Sequence, residues 1–147
     1  MKSLRIPLLA TAFAASLGLA APLMAQAQAV AAANISSAET AAAYKKDAAR
    51  HVYKAYADKV YKGKLPPLIH AVVVLEVSVD NQGNVQDINT IRVPTHAPDV
   101  TAAVKDMIQR ASPMPAPSRM GGVKFTEVWL VDKSGRFQLD TLSEGQR

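Results

Sequence analysis

From Ser36 onward the apolar positions fall into two distinct periods. In SSAETAAAYKKDAARHVYKAYADKVYKGK, Tyr44, Ala48, Val52, Ala55, Tyr56 and Val60 recur at steps of three and four, while Lys45, Lys46, Arg50, Lys54 and Lys59 fall largely off that stripe. This spacing predicts an amphipathic helix over Glu39 to Tyr61. Ser36 and Glu39 stand at capping-box spacing before it. Gly63 ends the helix, and Leu65-Pro66-Pro67 forbids its resumption.

The period then drops to two. In HAVVVLEVSVDNQGNVQDINTIRV, Ala71, Val73, Leu75, Val77 and Val79 share one side of a strand, and Val72 and Val74 make the other side partly apolar. β-Branched residues dominate, as a pleated surface favours. DNQGN supplies a turn in which Gly83 is free to take a positive φ. The return strand, Val85 to Val93, breaks strict alternation, so a β-bulge near Asp87 to Asn89 is expected. APDVTAAVKDMIQRAS is a second helix, with Pro98 at its first position, Asp99 in its first turn, and Val100, Ala103, Val104, Met107, Ile108 and Ala111 as its apolar stripe. Pro113, Pro115 and Pro117 come next. VKFTEVWLVDKSGRFQLDTL reads as a hairpin, Val123–Val131, a turn over Asp132–Gly135, then Arg136–Leu142.

The proline segment separates two stretches that could not fold alone, because the C-terminal one offers only a hairpin. It is therefore a stiff helix-to-strand connection rather than a linker between domains. The fold class that results is α+β: two helices packed on one face of a small antiparallel sheet of three to four strands, in the order αββαβ(β). Placing the third strand beside the first leaves the second on an outer edge.

The N-terminal stretch changes the picture of location. MKSLRIPLLATAFAASLGLAAPLMAQAQA has a basic start at Lys2 and Arg5, an apolar run from Ile6 to Ala21, and overlapping small-x-small patterns at Ala25–Ala29. It reads as a signal peptide over 1–29, followed by a flexible N-terminus over 30–35 and one domain over 36–147. Periplasmic export is the expectation, and an inner-membrane anchor through residues 6–24 is the alternative. The formal charge is +5, partly carried by the export segment, so it is no nucleic-acid signature. With no cysteine, the domain rests on its core alone.

No set of residues announces chemistry. His51, His70 and His96 lack a second ligand at metal spacing, the serines lack a G-x-S-x-G context, and Gly121-Gly122 precedes a strand rather than a helix. Glu76 and Asp87 can approach across the hairpin, although a lone pair on a strand face is usually solvated. Trp129 shares a strand face with Glu127 and Val131, which suits packing under a helix. No catalytic residue, metal or cofactor is expected.

Three features carry a resemblance: the order αββαβ, the hairpin VVVLEVSVDNQGNVQDINTI with Asp80, Gly83 and Val85 at its turn, and the helix closing in AVKDMIQRASPMPAPS. Over about Tyr53 to Asp140 the chain resembles the C-terminal periplasmic domain of TonB and TolA energy transducers. The resemblance implies a protein-binding module that captures an extended segment of an envelope partner, such as an outer-membrane receptor, by edge-strand addition. It implies the binding domain without the membrane motor, since the N-terminal apolar segment carries no histidine. The edge expected to bind is the last strand, Arg136, Phe137, Gln138, Leu139 and Asp140, with Val85–Val93 as the alternative. Pairing of two copies and weak contact of the basic helix with anionic lipid are further partner expectations. A small secreted enzyme or inhibitor is the runner-up reading.

Overall fold

A computed structural model of the chain describes residues 34–146. The export segment, residues 30–33 and the anchor alternative lie outside the described residues. The elements run β1 (Ile35–Ser36), α1 (Ala41–Ala55), β2 (Ala71–Asp80), β3 (Val85–Arg92), α2 (Pro98–Arg110), β4 (Ala116–Pro117), β5 (Gly122–Val131) and β6 (Phe137–Leu139), closed by a 3-10 turn over Asp140–Leu142. The architecture is mixed α+β. A four-stranded antiparallel sheet has the order β3-β2-β5-β6, and β1 and β4 form a separate two-residue parallel pair.

β2 is the axis of the sheet. Its burial alternates strictly, with Ala71, Val73, Leu75, Val77 and Val79 buried beneath the helices. Each of its larger aliphatic side chains contributes about 1.5–3 kcal/mol on leaving water. α1 lays Tyr44, Ala48, Ala49 and Val52 on the same layer, and α2 adds Val104, Met107 and Ile108. Tyr44 meets Phe125 edge-on at 5.5 Å, and Trp129 lies 4.7 Å from Phe137, centroid to centroid.

Several local expectations are corrected. Ser36 does not cap α1. Thr40 does, its hydroxyl accepting from the Ala43 N–H, while Ser36 sits in β1 and donates to Asp47 at 2.7 Å. The expected loose N-terminus is pinned from Asn34 onward, because the Ala116 N–H donates to the Asn34 carbonyl. α1 stops at Ala55 rather than Tyr61, since the chain beyond it is needed elsewhere: Phe137 donates to Lys59 and accepts from the Tyr61 N–H. The bulge expected at Asp87–Asn89 is two irregularities, at Gln86 and Ile91, flanking a regular run from Asp87 to Thr90. The last strand is three residues long before the chain tightens into the 3-10 turn.

The proline segment is stiff and well anchored. The Tyr44 hydroxyl donates to the Pro115 carbonyl at 2.7 Å, and the Met114 N–H donates to the Gly83 carbonyl at 2.7 Å. The hairpin turn and the proline exit thus press backbone against backbone. Gly83 has φ +92°, and a Cβ there would lie 2.0 Å from the Met114 carbonyl oxygen. The Asp80 carboxylate organises the rest of the turn, accepting from the N–H groups of Gln82 and Asn84 and from the Asn84 and Gln86 amides. Its hydrogen bond with the Asn84 side chain, foremost, holds its pKa below the ordinary value. Gly83→Ala is expected to lower unfolding free energy by about 2 kcal/mol or more, from overpacking and positive-φ strain together. Gly135→Ala, at φ +82° with open space around it, is expected to lose only about 1 kcal/mol, both variants being compared with wild type by urea titration.

Candidate functional site: the two rims of the sheet

An open sheet presents its backbone valences at its borders, so its edges are where such a fold can bind another chain. The two borders differ here. At the β6 border, Phe137, Gln138 and Leu139 are all buried, and only Arg136 and Asp140 are exposed. The ladder with β5 pairs Leu130 with Gln138, which turns the backbone groups of Phe137 and Leu139 outward. Phe137 exchanges both of its groups with Lys59 and Tyr61, and the Leu139 N–H donates to the Tyr53 hydroxyl at 3.0 Å.

Gln138 binds this closure together. Its Nε2 donates to the carbonyls of Tyr61 and Gly63 at 2.8 and 2.7 Å, and its Oε1 accepts from the Glu144 N–H. The expectation that Arg136–Asp140 offers a free edge is therefore corrected. The rim is already occupied by the protein's own residues 59–61, drawn over it by the shortened α1.

The β3 border is open. Counting from the Asp80 N–H to Asn84 carbonyl bond, the alternation of the ladder turns the backbone groups of Ile88 and Thr90 outward. Among the described residues these groups have no backbone partner, whereas the Val85 N–H at the start of the strand donates to the Ser112 hydroxyl at 3.2 Å. Ile91 is 55% exposed and Val93 45% exposed at the far end of this edge. Asp87 and Arg92 supply one charge of each sign along it, on the face away from the helices.

The remaining candidate side chains do not converge. Glu76 lies opposite Asn89, and Asp87 opposite Ser78; Glu76 instead meets Lys124 at 3.5 Å, on a partly exposed face. His51 Nε2 donates to the Ala111 carbonyl. His70 and His96 stack edge-on at 5.5 Å, with His96 Nε2 donating to the His70 carbonyl. No local signal points to that pairing, which depends on the start of β2 meeting the loop after β3. Among the described residues no three His, Cys, Asp or Glu side chains gather as metal ligands, and no helix is long and apolar enough to cross a membrane.

The basic stripe of α1 is partly engaged. Arg50 pairs with Asp47, and Lys45 reaches Glu127 at 3.6 Å. Arg50, His51 and Lys54 line an open groove with Ile35 and Pro115 on its other wall. Comparison with family models, with curated proteins and with solved structures gave no match.

Gln138→Ala leaves two carbonyls and an N–H at the closed rim without their partner. We expect it to cost at least about 2 kcal/mol in urea unfolding, from unsatisfied buried groups. Gln138→Pro also removes the N–H that faces β5, and is expected to abolish the folded signal in circular dichroism.

Proposed function

We propose that this chain is a periplasmic protein-interaction module of the TonB and TolA C-terminal kind. In this reading it is exported by its N-terminal segment and takes up an extended stretch of an envelope protein, such as an outer-membrane receptor, along β3. The observation that carries the proposal is the row of unpaired outward groups along Asp87–Thr90, on a sheet whose last strand, β6, is already engaged on its outer side by Lys59, Tyr61 and Tyr53. An incoming strand gains main-chain hydrogen bonds to Ile88 and Thr90, each worth about 0.5–1.5 kcal/mol net. Side-chain selectivity comes from Ile88 and Thr90 on the helix side, from Asp87, Asn89 and Arg92 on the other, and from the apolar end at Ile91 and Val93.

Support also comes from the layout. β2 lies between β3 and β5 with α2 carrying the chain across, which is the αββαβ order of the resembled domains. The two bulges have a part in this. Gln86 and Ile91 interrupt the pairing at either end, which limits an added strand to a short register and guards the edge against indefinite sheet growth.

A photo-crosslinking residue at Ile91, expressed in the periplasm, tests it. The expected result is one envelope protein crosslinked through an extended segment, with the same residue at Lys133 giving none. Thr90→Pro removes an outward N–H on an edge strand, where proline is tolerated. It should weaken capture at least about tenfold, the equivalent of 1.4 kcal/mol, with the melting temperature little changed. Equal crosslinking by a folded Thr90→Pro protein would refute capture at this rim.

A further inference from the structure

Next to the opposite border, β5 carries a carboxylate where the core calls for an apolar group. Glu127 is 3% exposed and stands between Phe125 and Trp129 on the face beneath α1. Ala48, Val52, Val77, Ile108 and Leu139 are among its surroundings, around a void of about 10 Å³. A void of that size holds no more than one water, so an ionised carboxylate has no hydration shell there. Oε1 accepts from the Val128 N–H at 2.9 Å, an outward group of β5 just beyond the end of β6. Among the described residues Oε2 has no hydrogen-bond partner, and neither does the buried hydroxyl of Thr141, in the 3-10 turn after β6.

We propose that Glu127 is a proton-operated latch: protonated, it fastens the β6 and 3-10 segment onto β5, and ionised, it loosens that segment. The segment is a suitable moving part. β6 pairs with β5 over three residues only, and Glu127 occupies the point where that pairing ends, between α1 and the turn. Trp129 and Leu139, directly opposite each other in the ladder, sit against the same void, so a charge there acts on the β5–β6 seam itself.

The groups that act on Glu127 come from few elements. α1 contributes Lys45, whose ammonium lies 3.6 Å from Oε1 with a side chain 27% exposed, and Tyr53, whose phenol is raised mainly by burial and in part by the Glu127 charge. The turn contributes Thr141, whose hydroxyl and backbone N–H both favour the ionised carboxylate, though the hydroxyl falls short of a hydrogen bond. β2, α2 and β6 contribute Val77, Ile108 and Leu139. Burial is the largest effect and raises the Glu127 pKa; Thr141, the Val128 N–H and Lys45 oppose it without cancelling it. Because the folded value is raised, the folded state holds the proton more tightly than the unfolded chain. Stability is therefore full below the ordinary carboxylate range and declines as pH rises through the raised folded value.

Amide hydrogen exchange of Phe137 to Leu142, corrected for intrinsic rates, tests the latch in the exported protein. Between pH 4 and pH 8 the wild-type segment should open more, by about tenfold for each pH unit separating the folded from the ordinary carboxylate pKa. Fluorescence of Trp129, the sole tryptophan, should track the same transition. Glu127→Gln, a neutral isostere, should stay closed at both pH values and melt higher than wild type at pH 8. An identical pH response in Glu127→Gln, or faster exchange of its segment at every pH, would overturn the proposal. If that variant does not fold, the wild type alone decides: absence of a Trp129 transition above the ordinary carboxylate range also overturns it.

Discussion

Every residue of β2 pairs with β5, the stretch from Val74 to Val79 pairs with β3 as well, and every second side chain of the strand is buried beneath the helices. That double commitment fixes the rest. A strand with neighbours on both edges needs the chain to leave, form β3, and return on the far side. α2 and the proline segment make the return, and at Gly83 the Met114 backbone approaches within hydrogen-bonding distance. The contact between a hairpin turn and a proline exit thus anchors that return to the β2–β3 hairpin, and it leaves no room for a Cβ.

The same commitment makes the two rims unequal. β5 is as long as β2, but β6 covers only its last three residues. The protein covers the outer side of β6 with residues released from α1, whose helix ends early so that Lys59 and Tyr61 can meet Phe137. The 3.6-residue stripe by itself carries the helix on to Tyr61, since Tyr56 and Val60 remain in phase. Tertiary pairing overrides the local period here: Val60 forms a parallel bridge with Phe137 instead. Losing more than one turn of helix is offset by pairing the outward backbone groups of Phe137 and the amide of Gln138, which lies on the face of β6 away from the helices.

Elements dominated by their own side chains were legible. β2 shows its alternation, the DNQGN turn shows its glycine, and α2 shows its proline start and apolar stripe. Features set by distant partners were not. Ser36 has the spacing of a cap, yet its hydroxyl is drawn to Asp47 because β1 pairs with β4, far along the chain. The last strand reads as an edge because its sequence, RFQLD, is mixed in polarity. Nothing local says that Gln138 is wholly buried with its amide filled by Tyr61, Gly63 and Glu144. Of the two borders considered from sequence, the structure leaves Val85–Arg92 open. The shared face of Glu127, Trp129 and Val131 could be read from alternation, but not the consequence that the carboxylate is trapped beneath α1.

That trapped carboxylate also bears on why β6 is so short. Continuing the ladder beyond Trp129–Leu139 would bring Thr141 opposite Glu127 and require the Val128 N–H region to accept a regular strand. Glu127 Oε1 already takes that N–H, and the chain turns into a 3-10 helix at Asp140 instead. The side chain of Glu127 therefore acts as a stop for the ladder as well as an ionisable group at its end. An apolar residue at 127 would pack against Trp129 and Phe125 with no such conflict, and would leave the Val128 N–H free to extend the pairing. A short cover strand ending on an ionisable group is a seam of adjustable strength, whereas β3, with charges and bulges but no cover, is an edge of fixed availability.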